Sequence, residues 1–163
     1  MLCPKRSVVL ISSDGERIEV DERTACMSTV IRDLLVSRGD AASDDNVDSG
    51  VTDIPIQNVP GRLLRKLLEY CRFYNTDVVT GNKHAWNASY LARISDTHEM
   101  CMLSNAANYL NVPGLLELLV GAIAEDLKGK TVDEIREKLH VDVRLSPEDE
   151  TRIRDEYGWA FES

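Results

Sequence analysis

The triplet Gly129-Lys130-Thr131 has the ending of a phosphate-binding loop. That chemistry needs a second glycine at position 124, where Ala124 stands, and a strand before it, where the pattern reads as helix. A helix start at Thr131 explains the triplet better. Asp44, Asn46 and Asp48 have the first spacing of a calcium loop, but Ser49 and Pro55 occupy the places of the sharp-turn glycine and the bidentate glutamate. His98 and Cys101 lie three residues apart on an expected helix and could offer two metal ligands. No further ligand cluster accompanies them, so they read as a capping histidine and a packed thiol. His84 and His140 stand beside no obvious nucleophile, and no G-x-S-x-G occurs. Asn87-Ala88-Ser89 is a glycosylation sequon by pattern, expected to stay bare in a chain without a secretory signal. The expectation is no catalytic residues, no metal, no cofactor and no enzyme.

The elements that would carry any site are legible from periodicity. Residues 7–20 read as a hairpin: a β-rich run from Ser7 to Ser12, a turn at Asp14-Gly15, then Ile18 and Val20 alternating with Arg17 and Glu19. Asp21 caps a short helical turn. Ser28 caps a second helix with Val30, Ile31, Leu34 and Leu35 on one side. Ser37 to Asp53, rich in aspartate, serine and glycine, reads as a mobile acidic loop. Ile54-Pro55-Ile56 is a short extended segment, and its proline suggests a sheet edge.

After Pro60-Gly61, Leu63, Leu64, Leu67, Leu68 and Cys71 form a broad buried helical stripe. Residues 75–85 read as a loop, and Trp86, Tyr90 and Leu91 as a short, partly buried element. A helix over about 98–110 buries Met100, Leu103, Ala107 and Leu110, and closes at Asn111 before Pro113-Gly114. The helix over about 114–127 has two apolar faces. One carries Leu115, Leu118, Leu119 and Ala122; the other carries Leu116, Val120, Ile123 and Leu127. A surface helix needs one stripe, so the second needs a cover.

Thr131 to Glu134 is a capping box, followed by Val132, Ile135 and Leu139 on one face. Ser146-Pro147-Glu148-Asp149 starts a last helix that is nearly all polar. Residues 128–163 hold too few apolar groups for a core of their own, so they are expected to order fully against a partner.

Composition narrows the function classes. The 163 residues suit one domain, with room for an appendage, and a 43% hydrophobic fraction excludes global disorder. A formal charge of −9, from 28 acidic and 19 basic residues, argues against non-specific nucleic-acid binding and against an anionic membrane surface. No apolar run approaches the roughly 18–20 residues of a transmembrane helix. The N-terminus lacks a signal-peptide core. Cysteines 3, 26, 71 and 101 form no C-x-x-C pair and are expected to be reduced, in cytoplasm or nucleus.

Four ordered blocks carry a resemblance. Ala106-Ala107-Asn108-Tyr109-Leu110, followed by Gly114-Leu115-Leu116, resembles the A-A-N-Y-L-x-x-x-G-L-L signature of the S-phase kinase-associated protein 1 family, the adaptor subunits of SCF ubiquitin ligases. Ser12 to Glu16 with Glu19-Val20-Asp21 resembles that family's first hairpin. Lys128 to Thr131 with Glu134-Ile135-Arg136 resembles its K-G-K-T-x-E-E-I-R block. Glu148-Asp149-Glu150, Ile153-Arg154 and Trp159 resemble its last helix, and Trp86 fits the tryptophan after its second loop.

The resemblance implies an α+β BTB/POZ fold, a small sheet with a helical bundle, over residues 1–127. It implies a two-helix F-box-binding extension over 128–163. It also implies an adaptor that bridges a cullin scaffold to interchangeable F-box proteins, with no chemistry of its own. Asn108 and Tyr109 are then the cullin-side residues. Leu116, Val120, Ile123, Leu127, Ile135, Leu139, Val141, Ile153 and Trp159 are the F-box-side residues. The alternatives are an F-box-binding paralogue that works without a cullin, at a kinetochore or in trafficking, and an elongin-C-like adaptor, against which the tail argues. A third class, a homodimeric BTB regulator, predicts self-association without partners, and a weak homodimer of the free protein is a further candidate partner state. Ser104 and Asn105 depart from the aliphatic residues usual in the family. Pro147 reads first as a plain helix-start proline, and resemblance to some relatives makes it a hydroxylation candidate.

Overall fold

The computed structural model describes residues 7–39, 51–76, 82–142 and 145–160, without the side chains of 38, 39, 51, 52 and 160. The chain divides into two compact units, Met1–Lys128 and Gly129–Ser163.

In the first unit, strands β1 (Ser7–Ile11) and β2 (Arg17–Asp21) pair antiparallel, and β3 (Val51–Pro55) joins β1 in parallel, giving the order β2-β1-β3. Val8 stands opposite both Val20 and Thr52, and Leu10 opposite Ile18 and Ile54, so one face of the sheet is apolar. The turn is closed by the Ser12 amide donating to the Glu16 carbonyl at 2.9 Å, with Gly15 at φ 81°. Pro55 ends an edge strand, where its missing amide costs no ladder bond.

Five helices follow or interleave. They are α1 (Glu22–Ala25), α2 (Thr29–Gly39), α3 (Gly61–Asn75), α4 (Lys83–Leu91) and α5 (Thr97–Tyr109), and α6 (Pro113–Leu127) completes the unit. Asp21 caps α1 by accepting the Thr24 amide and hydroxyl at 2.9 and 2.7 Å. The Ser28 hydroxyl accepts the Ile31 amide at 3.2 Å at the start of α2. On α2, Ile31 is buried but Leu34 is exposed, so the expected four-residue apolar side is narrower than its sequence suggests.

The acidic stretch is also shorter than residues 37–53. Ser37–Gly39 close α2 and Val51–Asp53 open β3, because a helix can carry serine near its end and a strand can carry an outward Asp53. Asp53 receives both Arg17 guanidinium donors, at 2.8 and 2.9 Å. Asp44, Asn46 and Asp48 lie outside the described residues, as do Cys3 and Phe161.

Pro60 offers α3 no side-chain cap. The β1–β2 turn supplies one: the Asp14 carboxylate accepts the Gly61 amide at 3.0 Å. The Ser12 hydroxyl and that amide hold the Asp14 carboxyl below its ordinary range. The predicted α3 stripe is fully buried against the sheet and against Leu103, Ala107, Leu110, Leu115 and Leu119. Trp86 stacks on Phe73 at 3.9 Å and lies 5.0 Å from the ring of Tyr90, whose hydroxyl donates to the Lys66 carbonyl at 2.9 Å. This ring cluster holds α4 on α3. The Tyr74 hydroxyl donates to the Asn87 amide oxygen at 2.9 Å, so the sequon asparagine is half-buried and engaged.

The second unit comprises α7 (Val132–Lys138), α8 (Pro147–Glu156) and a short 3-10 turn, Gly158–Ala160. The capping box forms, with the Thr131 amide donating to Glu134 at 2.7 Å. Ser146 caps α8 by accepting the Asp149 amide at 3.1 Å, and Pro147 is its first residue.

Candidate interaction surfaces

The α5–α6 hairpin carries Asn108, Tyr109 and the α6 stripe. Asp96 caps α5 by accepting the Glu99 amide at 2.7 Å. Glu99 is buried and receives the Ser95 amide at 2.9 Å, Lys66 at 3.2 Å and Arg62 at 3.3 Å. Burial alone would raise its carboxyl, but the Ser95 amide and the Lys66 ammonium bring it below the ordinary range. At the open end of the hairpin, the Thr97 hydroxyl donates to Asp126 at 2.5 Å. At the closed end, the Val112 amide donates to the Ala107 carbonyl at 2.8 Å. Gly114 permits a close approach to α3, since a Cβ there would lie 2.8 Å from the Tyr70 hydroxyl oxygen.

This frame leaves a defined outer surface. Asn108 is exposed, and Tyr109 is 43% exposed at the last residue of α5. Ser104 is buried, and its hydroxyl donates to the Met100 carbonyl at 2.9 Å, so a polar residue sits in an apolar place without an unmet bond. Asn105 is exposed.

On α6, Leu115 and Leu119 are fully buried. Leu116 is half-buried against the core, Ile123 and Leu127 are half-buried, and Val120 is 51% exposed. The second apolar stripe is therefore real, and Val120 is its open point.

The second unit has no buried residue among those described. Ile135, Leu139 and Ile153 are half-buried, Val141 is exposed, and Trp159 is 75% exposed. Val132, Leu145 and Tyr157 are exposed as well, although sequence reasoning gave them no binding role. The available signal was their apolar type within a segment that has nothing to bury them. Pro147 is exposed at the first position of α8.

Other polar features among the described residues are engaged with one another. The basin between β2 and α3 carries Arg17, Arg65 and Arg72, but Asp53, Glu16 and the Glu19 carbonyl respectively engage them. Among the described residues, no group of three or more His, Cys, Asp and Glu is placed to hold a metal ion. Cys26, Cys71 and Cys101 are free thiols, and burial pushes Cys71 up to about 12. A thiol so raised is a poor nucleophile.

A three-stranded sheet backed by helices, with exposed apolar points on α6 and on a polar helical extension, defines a POZ-type interaction protein. Comparison with known proteins agrees in both units. Residues 6–76 match the model of the Skp1 family, tetramerisation domain, and residues 113–160 match the Skp1 family, dimerisation domain. SKP1-like protein 14 of Arabidopsis thaliana is 36% identical over 155 residues, covering 95% of this chain and 97% of its own length. SKP1-like protein 3 of the same plant is 35% identical, over 97% of this chain and 98% of its own. SKP1-like protein 1A is 36% identical, over 96% and 98% respectively. The chain belongs to the Skp1 family. Family membership carries an adaptor role of the SCF type in the ubiquitin pathway.

Proposed function

We propose that this protein bridges a cullin scaffold to interchangeable F-box proteins. The observation that carries the proposal is the set of open apolar residues, on α6 in the first unit and, separately, along the extension. Val120, Val141 and Trp159 are exposed in a chain of this family, and α7 and α8 have no buried residue among those described. Fully burying one aliphatic side chain contributes about 1.5–3 kcal/mol. Covering several of them offsets the cost of ordering a partner helix. Aliphatic and aromatic anchors give area without demanding one polar pattern, which suits exchangeable partners.

Leu116, Val120, Ile123, Leu127, Ile135, Leu139, Val141, Ile153 and Trp159 form the F-box side in this proposal. Asn108 and Tyr109 form the cullin side. Tyrosine supplies area and a hydroxyl at low entropic cost. The bridge operates in cytoplasm and nucleus, and the same open apolar residues support weak self-association of the free protein. Pro147, exposed at the start of α8, is the proposed hydroxylation site; an unmodified intact mass of native protein would end that assignment.

A tagged pull-down from the native cell, with bound proteins quantified by mass spectrometry, tests the bridge. Several F-box proteins with one cullin is the expected result. F-box proteins without a cullin would overturn the bridging role, and recovery of neither would overturn the adaptor reading of this chain.

A further inference from the structure

The turn that presents Asn108 and Tyr109 is braced from a distant part of the chain. Three carbonyls of the last turn of α5, those of Ala106, Ala107 and Asn108, accept the amides of Leu110, Val112 and Asn111. The Leu110 carbonyl is taken instead by the Ser28 hydroxyl, 82 residues earlier in sequence, at 2.5 Å. That hydroxyl also accepts the Ile31 amide, so one buried serine both starts α2 and holds the end of α5. One residue further on, Asn111 has φ 50°, the left-handed region that asparagine tolerates better than most residues. Its side-chain amide donates to the Thr29 hydroxyl.

Helix ends fray, and Tyr109 is the last residue of its helix. The bonds from Ser28 and Thr29 fall immediately after it, at Leu110 and Asn111.

We propose that Thr29 and Asn111 are positioning residues, and that their bond keeps the Asn108–Tyr109 surface ordered for its partner before contact. The proposal rests on the assignment of that pair to the cullin side. A surface ordered in advance loses less conformational entropy on association. The bond joins the residue pair after α5 to the start of α2, and neither Thr29 nor Asn111 belongs to the proposed F-box side, so the two partners are expected to feel its loss unequally.

The test measures affinity of the full-length protein for a cullin and, separately, for an F-box protein. Thr29→Val keeps the branched shape and removes the hydroxyl. Asn111→Gly keeps the left-handed turn and removes the donor. Each is expected to weaken cullin binding on the order of 3- to 10-fold while F-box affinity stays within about 2-fold. Thr29→Ser should restore cullin binding, and the double variant should be no weaker than either single one, since both remove the same bond. An equal loss for both partners would assign the bond to general stability and overturn the proposal.

Tyr109→Ala separates this inference from the reading beneath it. If Tyr109→Ala weakens cullin binding and Thr29→Val and Asn111→Gly do not, the positioning role is wrong and the cullin-side assignment stands. If Tyr109→Ala itself leaves cullin binding unchanged, the assignment falls and the positioning role falls with it.

Discussion

Ser28 is the residue whose loss should be felt most for its size. Its hydroxyl has two partners, the Ile31 amide and the Leu110 carbonyl, and it lies in the core. Ser28→Ala removes a helix cap and leaves a buried carbonyl without its donor. The expected cost is about 2 kcal/mol, read as a lower midpoint in urea with an unchanged slope. A second residue-scale prediction concerns the thiols. Cys71 is 1% exposed and raised to about 12, so alkylation of the native protein should leave it unmodified while unfolded protein reacts at once. Fast native labelling of Cys71 would contradict the packing around α3.

Among the elements, α6 and α8 make separable predictions. Val120 is half-exposed and contributes little to the core, so Val120→Glu should leave the melting temperature within a few degrees of wild type. The same change puts a charge on the proposed F-box face and should weaken F-box binding more than about tenfold, because an unpaired charge resists desolvation. Unchanged affinity would remove α6 from that surface. Deleting 146–163 should weaken F-box binding and leave the first unit folded by circular dichroism, since the core residues all lie before Leu127. A deletion variant that unfolds would show that the first unit does not stand alone.

At the scale of the whole molecule, acid is the informative stress. Glu99 and Asp21 both titrate below their ordinary values in the fold, against burial that alone would raise them. Glu99 is held by the Ser95 amide and Lys66, and Asp21 by the Thr24 hydroxyl and amide. A carboxylate lowered in the folded state adds stability above its unfolded pKa, about 4, and loses it as pH falls through the folded value. The melting temperature should therefore hold near neutrality and fall below about pH 4. Glu99→Gln should lower the neutral value and flatten the acid limb. A melting temperature that rises on acidification below that pH would contradict the bonding of Glu99.

The sequence by itself determined the local structure. Capping chemistry and periodicity are short-range, so the hairpin at Asp14-Gly15, the α3 stripe, the capping box at Thr131 and the helix start at Ser146-Pro147 were readable without neighbours. Two features of the site were readable for the same reason: the second stripe of α6 and the apolar poverty of the extension. Tertiary structure decided what depends on contacts between distant residues. Nothing in Pro60-Gly61 announces that Asp14 caps α3, nor in Ser28 that it closes α5, because each bond joins segments the chain must first bring together. Exposure belongs to the same class. The types at Leu119 and Val120 are almost alike, and only packing buries one completely and leaves the other half open.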